Sequence, residues 1–213
     1  MDHENSIVYV VDDDKRVREA LEALLRSAGR TVRTFGSAVE YLAFRRRDDA
    51  SSCLILDLDM PEMSGLELQQ ELVALDAPPI IFLTGYGDIP STVKAMRAGA
   101  SEFLTKPFDD LDILRSVENA LDAAERTRRN RMELAELRQR YTLLTPRERE
   151  VLPYVVAGLL NKQTAGELGT SEITVRIHRS QIMRKMHAES LADLVRMAER
   201  LQIALPSTPY TKR

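Results

Sequence analysis

The first half of the chain alternates short strand-like segments with segments of helical periodicity. The strand-like segments are residues 7–11, 31–35, 53–56, 79–83 and 102–105. Apolar residues at helical spacing predict helices over residues 15–28, 38–44, 66–75 and 91–98. Several strands are apolar throughout, which is typical of a parallel sheet that helices cover on both faces. The sequence therefore predicts an α/β unit built on five parallel strands.

Side chains of complementary chemistry follow these strands. Acidic residues occupy positions 12–14 after the first strand, Asp57 follows the third, Thr84 the fourth and Lys106 the fifth. Because the carboxyl ends of parallel strands meet at one edge of a sheet, these side chains would converge. Converging carboxylates raise one another's pKa unless cations neutralise them, and Mg²⁺ with oxygen ligands is suited to that task. A metal, a lysine and a carboxylate nucleophile together suit phosphoryl transfer.

Ordinary capping and turn roles are the alternative for each of these residues. Asp14 fits such a role well, because it precedes the predicted helix over residues 15–28 and can act as its N-cap. At any single strand end that alternative would be preferred. Four strand ends with complementary chemistry favour the functional interpretation.

A helical pattern without glycine or proline runs from residue 108 to residue 144. We interpret its basic run over residues 126–131 as a solvated helix face rather than a nucleic-acid contact. The pattern predicts a long helix that links two domains and through which two copies could pair as a short coiled coil. Its apolar stripe consists of Leu111, Leu114, Val117, Leu121, Ala124, Leu134, Leu137 and Tyr141.

The two halves of the chain differ in charge. Residues 1–141 carry 19 basic and 26 acidic residues, a net charge of −7, whereas residues 142–213 carry 11 and 7, a net charge of +4. This asymmetry indicates two domains with different partners. A basic half could face nucleic acid, although a surplus of this size is weak evidence alone.

Capping signals divide the second half into helices. Thr145 and Glu148 form a predicted capping box around Pro146. A helix over residues 162–168, a turn at Gly169 and a helix to about residue 186 predict a helix-turn-helix.

Ser171 would cap the second helix of this motif, and Ile173 would pack between the two helices. A plain helical hairpin with a charged outer face is the alternative. A last helix is predicted over residues 191–204.

Four motifs in the first half resemble the receiver domain of response regulators, a doubly wound, flavodoxin-like fold. The motifs are VDDD at 11–14, LILDLDMPEMSG at 54–65, FLTGYGD at 82–88 and EFLTKPF at 102–108. The resemblance implies that Asp57 accepts a phosphoryl group from a sensor histidine kinase. It also implies that Asp12, Asp13, Asp57 and the backbone carbonyl of Asp59 hold the Mg²⁺ that phosphorylation requires.

The resemblance implies a switch as well. Thr84 and Lys106 would contact the phosphoryl oxygens, and a cis peptide bond before Pro107 would aim the lysine. Phe103 occupies the family's switch aromatic position, with a plain core role as the alternative. Thr84 and the loop 85–87 would move towards the phosphate, and the face built by residues 88–98, 101–105 and 109–123 would then repack and dimerise.

The second half resembles the LuxR-type DNA-binding domain in LTPREREVL at 144–152, AGLLNKQTAGEL at 157–168 and TVRIHRSQIMRKM at 174–186. With the receiver, this identifies the chain as a member of the FixJ/NarL class, nearer the FixJ branch. Thr164 and Thr170 depart from the family, which has apolar residues where the helices pack. The implied DNA-binding residues are Lys162, Thr174, Arg176, Ile177, Arg179, Ser180, Arg184 and Lys185.

Among these, Arg176, Ile177 and Ser180 would face bases. Lys162, Arg179, Arg184 and Lys185 would contact phosphates, which position a protein without specifying sequence.

The expected architecture follows from both resemblances. It comprises a receiver over residues 1–125, a helical linker over 126–141, an all-α four-helix DNA-binding domain over 142–205 and a tail over 206–213. The phosphorylated protein would dimerise, bind double-stranded promoter DNA and regulate transcription with RNA polymerase as an activator, without being a turnover enzyme.

Composition agrees with a protein of the cytoplasm that has no membrane partner. The one cysteine, Cys53, allows no internal disulfide, no apolar run is long enough to span a bilayer, and the first residues lack a secretory pattern.

Two other functions compete with this one. Asp57 and Asp59 resemble the nucleophile and general acid of haloacid-dehalogenase-type phosphatases. That family requires a threonine soon after the second aspartate and further acids on a late strand, whereas Met60 and Pro61 follow here. A receiver that serves only as an interaction module, with a degenerate output domain, is the third possibility.

Overall fold

Five strands of the first unit pair in parallel, in the order β2-β1-β3-β4-β5, within the residues that the structure describes. This computed structural model describes residues 6–44, 50–73, 77–85, 93 and 95–206. The strands are β1 (Ser6–Val11), β2 (Thr31–Phe35), β3 (Ser51–Asp57), β4 (Ile80–Thr84) and β5 (Glu102–Thr105). The predicted five-stranded parallel sheet is confirmed.

Helices follow these strands in the chain. They are α1 (Lys15–Ser27), α2 (Ala38–Ala43), α3 (Gly65–Val73) and α4 (Asp110–Thr142). Residues 93 and 95–97 are also helical, whereas residues 91, 92 and 94 of the helix predicted over 91–98 lie outside the described residues, as does the predicted end of α3 at Leu75. Asp14 caps α1 as expected, since its carboxylate accepts the backbone N–H of Arg16 at 2.8 Å.

Each face of the sheet carries its own apolar core, because successive residues of a strand point to opposite faces. One face packs against α2 and α3 through Ile7, Tyr9, Val11, Leu54, Leu56 and Phe82. The other packs against α1 and α4 through Val8, Val10, Cys53, Ile55, Ile81 and Leu83. Covering on both faces explains why the central strands are apolar between their ends.

The second unit is helical in the part of the chain that is described. Contacts divide the chain into Met1–Arg128 and Arg129–Arg213; the domain limits predicted above stay predictions. The end of α4 supplies Leu137 and Tyr141 to a core that includes Leu152, Val175, Ile182 and Leu194. The other helices are α5 (Pro146–Val156), α6 (Asn161–Leu168), α7 (Glu172–Met186) and α8 (Leu191–Arg200). The predicted fold class is confirmed.

Local capping signals act as predicted in this unit. Thr145 accepts the backbone N–H of Glu148, and the Glu148 carboxylate accepts the N–H of Thr145 in return. Gly169 ends α6 with a φ of +62°, and the Ser171 hydroxyl accepts the N–H of Thr174 to cap α7. These bonds set the turn of the helix-turn-helix.

Two expectations about the helices are wrong. Ile173 is 64% exposed and does not pack between the two helices, because other residues of α7 face the core. Leu111, the first residue of the predicted apolar stripe, is 62% exposed. The last helix ends at Arg200 and does not reach residue 204, because Gln202 adopts a φ of +56° and the N–H of Ile203 bonds to the carbonyl of Ala198. This closure is a Schellman motif, which ends a helix.

The two threonines that depart from the family pattern differ in environment. Thr164 is fully buried on α6, and its hydroxyl has no hydrogen-bond partner among the described residues. Thr170 is exposed, so its side chain does not help to pack the two helices. Of the two threonines, only Thr164 is therefore expected to lower the stability of this unit.

Candidate functional site

The carboxyl edge of the sheet holds the polar residues that the sequence places there. Asp57 and Thr84 are the last residues of β3 and β4, and Asp12 and Lys106 directly follow β1 and β5. Asp12, Asp57 and Thr84 are buried. The parallel register gathers them from four separate parts of the chain.

Lys106 links two of these carboxylates. Its Nζ lies 2.7 Å from Oδ2 of Asp12 and 3.0 Å from Oδ1 of Asp57. The peptide bond before Pro107 is cis, as expected, and the backbone N–H of Lys106 donates to the carbonyl of Thr84. The lysine ammonium therefore lies where a group attached to Asp57 would carry negative charge.

Three carboxylates of this edge could hold a metal ion. Asp12, Asp13 and Asp57 each offer an oxygen, and these atoms lie within 4.8 Å of one another. Asp13 is exposed while the other two are buried, so the cluster opens to solvent on one side. An oxygen-only donor set of this kind suits a hard divalent cation.

Burial, hydrogen bonds and neighbouring charges shift the pKa values of Asp57 and Lys106. Burial raises the pKa of Asp57, the hydrogen bond from Lys106 lowers it, and repulsion from Asp12 and Asp13 adds to a net rise. Burial would lower the pKa of Lys106, but its bonds to Asp12 and Asp57 outweigh burial and raise it. Lys106 therefore stays protonated at neutral pH, and a bound cation would favour the ionised form of Asp57.

Arg18 fixes the loop that carries the first two acids. Its guanidinium donates to the backbone carbonyls of Asp12 at 2.7 Å and Asp13 at 3.0 Å. Sequence reasoning missed this residue. The available signal was an arginine near the start of a helix, where the helix dipole disfavours a cation unless an acceptor lies nearby.

The loop after β3 is also held closely. The N–H of Leu58 donates to Oδ1 of Asp57 at 3.0 Å, and the N–H of Gly65 donates to the carbonyl of Leu58. A Cβ at Gly65 would collide with the backbone carbonyl oxygen of Asp57, so only glycine lets α3 begin this close to the site. Asp59 lies two residues beyond Asp57, and its side chain is exposed.

Phe103, the expected switch aromatic, is half-buried on β5. Its ring centroid lies 6.4 Å from that of Phe82, at the margin of the core between the sheet and helices α2 and α3. A half-buried side chain in this position is compatible with either the switch role or the core role. Residues 86–92, which include most of the loop expected to move, lie outside the described residues.

The outer surface of α7 carries most of the predicted DNA-binding residues. Arg176, Ile177, Ser180 and Arg184 are exposed, and so is Lys162 on α6. Val175, Ile182 and Met186 on the opposite side of α7 are fully buried. The helix therefore presents a basic, solvent-facing surface.

The other predicted contacts are partly engaged within the protein. Thr174 shares a hydrogen bond with the Ser171 hydroxyl, and Arg179 donates to the side chain of Asn161 at 3.5 Å. The Nζ of Lys185 lies 2.7 Å from Oε2 of Glu148. Their DNA contacts stay predictions.

Glu148 is a residue whose full role the sequence did not reveal. Its carboxylate is 5% exposed and binds both the capping N–H of Thr145 and the ammonium of Lys185. Burial would raise the pKa of Glu148, but these partners outweigh it and lower the pKa below 4.5. The ion pair fastens α5 to the last turn of α7.

Comparisons with known families agree with both sites. Residues 8–118 match the response regulator receiver domain, and residues 142–198 match the LuxR family of bacterial regulatory proteins. The chain belongs to the response regulators. This response regulator has a receiver domain and a LuxR-type DNA-binding domain, and it is a transcriptional regulator.

Relatives extend the match over nearly the whole response regulator. It is 48% identical to response regulator protein TmoT of Ectopseudomonas mendocina, over 96% of this chain and 93% of that one. It is 43% identical to transcriptional regulatory protein FixJ of Rhizobium meliloti, over 90% and 94%. The solved structure of response regulator StyR is 48% identical with a TM-score of 0.82, over 92% of this chain and 99% of that one. The protein is therefore a regulator of the FixJ/NarL type.

Within the described residues, none of the helices of this response regulator is long and apolar enough to cross a membrane.

Proposed function

We propose that Asp57 accepts a phosphoryl group from a phosphohistidine of a partner sensor kinase. A carboxylate oxygen of Asp57 forms the new O–P bond as the N–P bond breaks, and the imidazole nitrogen retains the electron pair and takes up a proton. The observation that carries the proposal is the convergence of Asp12, Asp13, Asp57 and Lys106 at one edge of the sheet. Lys106 would stabilise the added charge on the phosphoryl oxygens.

The cation of this site is proposed to be Mg²⁺. Asp12, Asp13 and Asp57 supply carboxylate oxygens of the kind that Mg²⁺ prefers, and the backbone carbonyl of Asp59 would be the further protein ligand. When bound, Mg²⁺ supplies positive charge that offsets the repulsion among phosphoryl and carboxylate oxygens.

Phosphorylation is proposed to act as a population shift. It adds about −1.5 to −2 charges at neutral pH, which would draw the hydroxyl of Thr84 towards the phosphate. Phe103 lies at the core margin, so a change in its burial would alter the adjoining face. The shifted state would form a homodimer and bind DNA more tightly.

The DNA-binding step is proposed to use α7 in the major groove of promoter DNA. Exposed Arg176, Ile177 and Ser180 support base contact, and exposed Lys162 and Arg184 support phosphate contact. The dimer would then recruit RNA polymerase and activate transcription in the cytoplasm.

Labelling by a small phosphodonor such as acetyl phosphate tests the first step. Asp57→Asn keeps the size of the side chain and removes the nucleophile, so labelling should fall to background. Asp59→Asn is the matched control, because it keeps the backbone carbonyl and changes only an exposed side chain; its labelling should persist. Stoichiometric labelling of Asp57→Asn would refute the assignment.

The same preparation tests whether the chain is a turnover enzyme. We propose that it is not, and that the phosphoryl group leaves Asp57 only by slow self-hydrolysis. Multiple turnovers of a generic phosphatase substrate by the purified protein would favour the phosphatase alternative.

A further inference from the structure

Two exposed isoleucines lie on the outer face of α7. Ile173 is 64% exposed and Ile177 is 54% exposed. Residues four apart in a helix share a face, one turn from each other. The core-facing side of the same helix already contains Val175, Ile182 and Met186, each fully buried, so packing within this unit does not explain the pair.

The surroundings of the pair favour a charged partner. Arg176, Ser180 and Arg184 are exposed on the same outer surface. A protein interface of ordinary size covers about 800 Å² per partner and is depleted of charge at its centre. Two isoleucines among arginines do not make such a surface, whereas the polyanionic backbone of DNA attracts the arginines.

Within DNA, one base offers an apolar group to such a helix. Thymine displays its C5-methyl group in the major groove, and the other three bases display only hydrogen-bonding groups there. Four residues span about 6 Å along a helix axis, close to two base-pair steps of about 3.4 Å each. This spacing lets the two isoleucines contact the methyl groups of two thymines that lie two base-pair steps apart.

We propose that Ile173 and Ile177 read the C5-methyl groups of two nearby thymines in the half-site. The inference rests on the proposed entry of α7 into the major groove and adds a specificity role for Ile173. The arginines beside the pair would contact phosphates or base edges, and the isoleucines would reject sites that lack the methyl groups.

The test uses the full chain treated with acetyl phosphate and a duplex selected by that protein from a random pool. Each thymine of the duplex is replaced in turn by deoxyuridine, which removes only the methyl group. At two positions of each half-site the Kd should rise about fourfold, the effect of one buried methyl group. Ile173→Ala and Ile177→Ala should each abolish the difference between thymine and deoxyuridine at one of these positions.

Leu205→Ala is the matched control, since Leu205 is 60% exposed beyond the end of α8; it should retain the full deoxyuridine effect. If no deoxyuridine changes the affinity of the wild type for its selected duplex, the inference is wrong while the DNA-binding function stands. Failure to select any duplex would instead refute the proposed function. Alanine variants that lose dimerisation but still distinguish thymine from deoxyuridine would assign the pair to a protein contact and overturn the inference.

Discussion

The ion pair between Glu148 and Lys185 allows a sharp test of how burial sets the strength of a salt bridge in this protein. Its atoms lie 2.7 Å apart, with side chains 5% and 24% exposed. The pair between Arg147 and Glu150 on the same helix has a separation of 2.6 Å, but its side chains are 73% and 48% exposed. The two pairs therefore have similar separations but differ in burial, and only the buried pair joins two helices.

Lys185→Met should destabilise the second unit by about 3 kcal/mol, because it leaves a buried carboxylate without its cation. We take the lower end of the usual range, since Glu148 keeps the N–H of Thr145. Arg147→Met should cost less than about 1 kcal/mol, as exposed pairs do. Adding Glu148→Gln to Lys185→Met should recover part of the loss, because no buried charge is then unpaired.

Differential scanning calorimetry of the full chain measures these changes. The transition of the DNA-binding unit is recognised because added DNA raises its midpoint. In a unit of this size about 3 kcal/mol corresponds to a fall of roughly 12–24 °C, and the control should shift by less than about 8 °C. Equal midpoint shifts for Lys185→Met and Arg147→Met would refute this reasoning.

Lowering the pH should reduce the contribution of the Glu148–Lys185 pair to the free energy of unfolding. The pKa of Glu148 is lowered on folding from its ordinary value of 4.5, so its stabilising effect is complete above pH 4.5 and is lost as the pH falls through the folded pKa. The difference in stability between the wild type and Lys185→Met should therefore narrow below pH 4.5. A difference that widens on acidification would contradict the sign of this shift.

Three further predictions concern single residues. Thr164→Val should raise the calorimetric midpoint of the second unit by several degrees, because it removes a buried hydroxyl without a described partner and such groups cost about 1–3 kcal/mol; an unchanged or lower midpoint would contradict this. Arg18→Ala should weaken Mg²⁺ binding about tenfold in calorimetric titration, as loss of an outer positioning group does, whereas exposed Arg16→Ala should leave it unchanged. Arg176→Ala should weaken binding to the selected duplex more than binding to random DNA, and equal losses would assign Arg176 to a phosphate.

Local signals in the sequence determined much of this protein. Uninterrupted apolar strands required a sheet covered on both faces, and the strand ends placed Asp57, Thr84 and Lys106 at one edge. The capping box of Thr145 and Glu148 also follows from neighbouring residues alone. Such features are predictable because the interacting groups are close in the chain or are fixed by the period of the secondary structure.

Only the tertiary structure decided which partners those residues meet. The bond from Lys106 to Asp12 spans 94 residues and the pair of Lys185 with Glu148 spans 37, so no local pattern specifies them. The exposure of Ile173 could not be predicted from local pattern either, because α7 carries apolar residues on two faces. Periodicity says which residues share a face of a helix, but the neighbouring helices determine which face is buried and which stays exposed.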